Sequence, residues 1–160
     1  GAPDDSAWRL DIGEDTIRLS GIERLELRGG GLRLDLEGPN VEIVHRMYDA
    51  SLGRRPAGEG LEFWVDVMDR IDNPVALARY FVDSPEFEDI YGGPDASNED
   101  FVDALYENTL RRAPEEAGLE FWTGRLEEGA SREAMLHAFT ESPENIDRTL
   151  EDFEAGVWII

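Results

Sequence analysis

Residues 60–64 read GLEFW, and residues 118–122 read GLEFW again, 58 positions later. The same offset recurs around both copies. Val44, Met47, Tyr48 and Leu52 return as Val102, Leu105, Tyr106 and Leu110, Pro56 as Pro114, and Leu77 and Phe81 as Met135 and Phe139. Ser84-Pro85-Glu86 returns as Ser142-Pro143-Glu144. A gapless match over about 45 positions is the signature of an internal duplication. The chain therefore reads as two tandem copies of one helical unit.

The apolar residues of each unit recur at helical spacing. A first helix carries the Tyr48 or Tyr106 stripe and must stop before Pro56 or Pro114. GLEFW opens a second helix. Asn73 before Pro74, and Ser131, begin a short third helix, and Gly129 suits the end of the helix before it. A fourth starts at Ser-Pro, where the serine oxygen accepts free first-turn N–H groups and proline takes the next position without missing a donor. The expected units are 41–92 and 98–155, each of about four short helices.

Residues 8–36 alternate apolar and polar positions in WRLDI, TIRL, IERLEL and LRLDL. Period two predicts short strands. Gly29, Gly30 and Gly31 supply the backbone freedom of a hairpin turn. This predicts a hairpin over Ile22 to Leu36 and a β segment, residues 1–40, packed on the helices. The expected class is mainly α with a small N-terminal β part, α+β. At the other end, 151–160 finishes an acidic helix with Val157, Trp158, Ile159 and Ile160, which must either dock on the body or be read by a partner.

Asp and Glu number 37 against 15 basic residues, all Arg, for a net charge of −22. Phosphate backbones and anionic membranes repel such a chain, so no nucleic-acid partner is expected. No run approaches the length of a membrane span, so no membrane insertion is expected. With no cysteine, disulfides, thiolate metal sites and cysteine nucleophiles are excluded. The excess carboxylate admits a solvated surface, calcium ligands or a basic partner.

The repeat anchors are Gly60, Leu61, Phe63 and Trp64, with Gly118, Leu119, Phe121 and Trp122. Leu61, Trp64 and Met68 keep core-stripe spacing, as do Leu119, Trp122 and Leu126. That favours core over sugar stacking for the tryptophans. Phe63 and Phe121, off that stripe, face the other unit or a partner protein. Arg54 and Arg112 also match between units; helix C-terminal cations explain them more simply than a paired anion site. His45 and His137 fall at different unit positions and form no metal or catalytic pattern. Nucleophile-elbow and phosphate-loop motifs are missing, so the chain is expected not to be an enzyme. Calcium is the one cofactor admitted. Its candidate ligands are Asp11 and Asp15, with Glu14 beside them, and Asp95, Asn98 and Asp100; the second group is equally explained as an N-cap with acids at a helix start.

VHRMYDASLGRRPAGEGLEFW, YFVDSPEFEDIYGG, NEDFVDALYENTLRRAPEEAGLEFW and AFTESPENI together resemble an uncharacterised repeat family, a domain of unknown function. That family recurs at the C-termini of RTX-type bacterial proteins exported by type I secretion, and is distantly similar to the phycobilisome linker domain. The resemblance implies a secreted or cell-surface bacterial protein, exported without an N-terminal signal peptide, with Val157 to Ile160 as a C-terminal secretion signal read by the type I machinery. The function expected is a non-catalytic interaction or surface-attachment module, calcium-dependent if the carboxylates bind. Its partner would be a protein or glycan surface. The alternatives are a carbohydrate-binding module and a linker-like protein-protein interaction domain.

Overall fold

The structure, a computed structural model, describes the backbone of residues 7–12, 15–20, 24–27, 30–33, 39–56, 58–154 and 157–159, and the side chains of 39–56 and 60–150. The first unit comprises α1 (Pro39–Leu52), α2 (Gly58–Ile71), α3 (Pro74–Val82) and α4 (Pro85–Tyr91). The second comprises α5 (Asn98–Leu110), α6 (Glu116–Glu127), α7 (Arg132–Thr140) and α8 (Pro143–Glu154).

The local signals act as their chemistry requires. Asn73 Oδ1 accepts from Val75 N and Ala76 N, both at 3.1 Å, at the start of α3. Ser84 Oγ accepts from Phe87 N at 3.2 Å, and Ser142 Oγ from Asn145 N at 3.3 Å. Each such cap contributes about 1 kcal/mol. One matched pair differs. Gly53, with φ 63°, closes α1, whereas the left-handed residue closing α5 is Arg111, with φ 57°. A non-glycine residue there is strained by roughly 1–2 kcal/mol. Arg111 Nη2 reaches Asp49 on α1 at 3.1 Å, so the strained turn also ties the second unit to the first.

Core residues come from the matched stripes of both units: Val44, Met47, Leu61, Leu77 and Phe81, with Val102, Leu105, Leu136 and Phe139. Each such side chain contributes roughly 1.5–3 kcal/mol on burial. Packing across the duplication is approximately two-fold, since α1 packs on α4 and α8 and α5 on α8 and α4. The third helices, α3 and α7, pack on each other, as do α1 and α5. Buried Arg46 on α1 grips Glu141 at the end of α7 through Nε at 2.9 Å and Nη2 at 2.7 Å. Burial opposes that charge, but the hydrogen bonds and charges of Glu141 and Glu42 outweigh it and hold the guanidinium above its ordinary value. Asp49 also accepts from Arg148 on α8.

The α+β expectation is corrected. Between residues 39 and 150, where side chains are described, there is no strand, and this body is all-α. Period-two patterning reports only local strand preference, and the core among the described side chains is built from helices. Short antiparallel backbone ladders flank this body: β1 (Ala7–Ile12) with β2 (Asp15–Ser20), and β3 (Arg24–Leu27) with β4 (Gly30–Arg33). β4 also pairs with β5 (Val157–Ile159), with Leu32 opposite Trp158.

Candidate interaction surface

Each unit builds the same cage around its tyrosine. Arg54 lies 5.0 Å from the Tyr48 ring centroid, and Arg112 5.0 Å from that of Tyr106. Arg54 is then held bidentately by Glu86 at 2.7 and 3.0 Å, and Arg112 by Glu144 at 2.6 and 2.9 Å. These pairs hold both carboxyls below, and both guanidinia above, their ordinary values, chiefly through the hydrogen bonds between the partners. The arginines are thus occupied by the first-turn glutamates of α4 and α8. An anion site there would have to break both bonds.

GLEFW closes the cage from the other side. The Tyr106 hydroxyl approaches Gly118 so closely that a Cβ at Gly118 would collide with it, while a Cβ at Gly60 would meet the Tyr48 hydroxyl at an ordinary 3.7 Å. Trp64 and Trp122 are partly buried against the core, each with its ring centroid 5.0 Å from Phe81 or Phe139. Leu61 is fully buried and Leu119 partly so. Phe63 and Phe121 project outward, 55% and 58% exposed, each edge-on to its tryptophan at 5.0 Å with interplanar angles of 77° and 78°. Two equivalent phenylalanines are thus exposed at the surface, each resting against its tryptophan.

A second feature departs from the repeat. Between α3 and α7 lies an open cavity of about 620 Å³ whose wall includes Asn73, Arg79, Tyr80, Asp83, Ser131 and Glu133. Asp83 and Glu133 also line a neighbouring cavity of about 350 Å³, which reaches Phe87, Pro94 and Arg132. Tyr80 is 57% exposed and leans on Trp64 at 5.7 Å. Arg132, on the wall of the smaller cavity, lies 4.7 Å from the Phe101 ring centroid and donates to the carbonyls of Gly93 at 2.8 Å and Ala96 at 2.5 Å. That fixes the loop joining the two units. Tyr80 and Arg132 escaped the sequence reading because they break the repeat, their counterparts being Ala138 and Pro74. Loss of match inside an otherwise faithful duplication was the available signal.

Asp95, Asn98 and Asp100 sit at the entry to α5. Ser97 Oγ accepts from Asp100 N at 3.0 Å and donates to Asp100 Oδ2 at 2.7 Å, which is the capping arrangement. Among the described residues no group of three or more His, Asp or Glu is placed to hold a metal. The side chains of Asp11, Asp15 and Val157–Ile159 lie outside the described set, as does Ile160 entirely. His45 is buried in α1. Among the described residues no helix is long and apolar enough to cross a membrane.

No curated protein and no solved structure matches this chain. Residues 78–149, from the middle of α3 through most of α8, match a family described as a domain of unknown function (DUF4214).

Proposed function

We propose that this chain is a non-catalytic interaction module that docks a protein partner through Phe63 and Phe121. The observation that supports it is the repetition of one exposed, tryptophan-braced phenylalanine at both copies of GLEFW. A large apolar ring braced by a neighbouring ring has fewer conformations to lose on binding, which lowers the cost of burying it in an interface. The net charge of −22 selects a basic surface around the pocket that receives the ring and disfavours a second copy of this acidic chain. The resemblance to RTX-type proteins adds the setting, attachment at the surface of an exported protein.

The test places a photo-crosslinking amino acid at 63, at 121 or, as an equally exposed apolar control, at Leu150, which is 50% exposed. The chain is expressed in its native host. A discrete protein adduct from 63 and 121 but not from 150 is expected. Adducts equally strong from 150, or none from 63 and 121, remove the reading.

A further inference from the structure

We infer that the cavity between α3 and α7 is a binding site for a neutral pyranoside, with Tyr80 as its stacking platform. Its size falls within the range of small-molecule sites. The charges on its wall select the ligand class. Asp83 and Glu133 repel an anion, while a cation has to compete with Arg79, which already pairs with Asp83 at 3.4 Å. A polyol without charge meets neither penalty and uses both kinds of group, since each hydroxyl donates and accepts.

The donors and acceptors are in place. Asn73 Oδ1 is committed to the two backbone N–H groups of the α3 start, which fixes the amide orientation and leaves both N–H donors of its Nδ2 for a ligand. Asp83 accepts from Arg79 Nε only at 3.4 Å, so its carboxylate keeps most of its acceptor capacity. Tyr80 offers an exposed ring, while Trp64 at 5.7 Å supports it from the protein side. The C–H face of a pyranose packs on such a ring as another aromatic edge would. The matching position of the second unit is Ala138, so the site belongs to the junction of the units and is present once.

The test titrates the full chain with methyl glucoside, methyl galactoside, methyl mannoside and N-acetylglucosamine by ligand-observed NMR. Inorganic phosphate and N-acetyl-lysine amide serve as charged probes. An open site of this kind is expected to bind at least one glycoside with a dissociation constant of about 1 mM. Tyr80→Ala should weaken that binding at least tenfold, Tyr80→Phe should keep it within about threefold, and Leu150→Ser, at an exposed position outside the cavity wall, should leave it unchanged. Thermal melts establish that each variant is folded. Should Tyr80→Ala fail to fold, Glu133→Gln carries the test and is expected to weaken glycoside binding. Binding of no glycoside, binding insensitive to these variants, or preferential binding of phosphate or of the lysine amide each overturns the assignment.

Discussion

Gly118 and Gly60 occupy equivalent positions, yet the structure gives them different tasks. At Gly118 a methyl group would strike the hydroxyl of Tyr106, whose ring also lies under the Arg112 guanidinium. Gly118→Ala is therefore expected to cost about 1–3 kcal/mol through forced displacement of a packed ring. Gly60→Ala meets only an ordinary contact at 3.7 Å and gains helix propensity, so it is expected to be neutral or to stabilise by up to about 1 kcal/mol. Paired urea denaturations of the two variants separate these outcomes. Equal losses at both sites would show that helix entry, rather than the tyrosine's approach, requires the glycine. The sequence pointed to both glycines as helix-entry residues because the motif repeats; it could not show that the tyrosine twelve positions upstream is what crowds one of them.

The second helix of each unit is fastened to the body through its tryptophan. α6 has no fully buried residue, and Trp122 is the ring that fastens it to Phe139 on α7. Partial burial sets the cost of Trp122→Ala at about 3 kcal/mol, the lower end of the range for a core aromatic. Thermal unfolding followed by circular dichroism reads it, and a loss under about 1 kcal/mol would mean that the ring contributes surface rather than packing. The helices, their caps and their order were legible because proline, serine and the 3.6-residue period act locally. The α+β class failed for the converse reason, since alternation in residues 8–36 carries no information about what lies against those strands. The α3–α7 cavity was hidden for a third reason. It forms only where two third helices meet, and its aromatic, Tyr80, falls on the outer face that helical periodicity treats as solvent.

At the scale of the whole molecule, the dominant quantity is charge. A net −22 on 160 residues, with an isoelectric point near 4.2, makes self-repulsion at neutral pH a term that salt and acid both relieve. Opposing it are the Arg54–Glu86 and Arg112–Glu144 pairs, whose glutamates titrate below the ordinary carboxylate value. A depressed folded-state value means that their contribution is fully present above the unfolded value, near 4.5, and is lost as pH falls through the folded one. Both pairs are largely exposed, so each contributes at most about 1 kcal/mol, less in salt. Repulsion therefore decides the upper limb and the pairs the lower. The melting temperature is expected to rise by a few degrees from pH 7 to about pH 5, and to fall steeply below about pH 4. At pH 7 it should also rise with sodium chloride, with magnesium and calcium chlorides at matched ionic strength acting alike if screening alone is responsible. Melting curves across both series check this. A melting temperature that falls with salt would mean that ion pairs, not repulsion, govern the stability of the molecule.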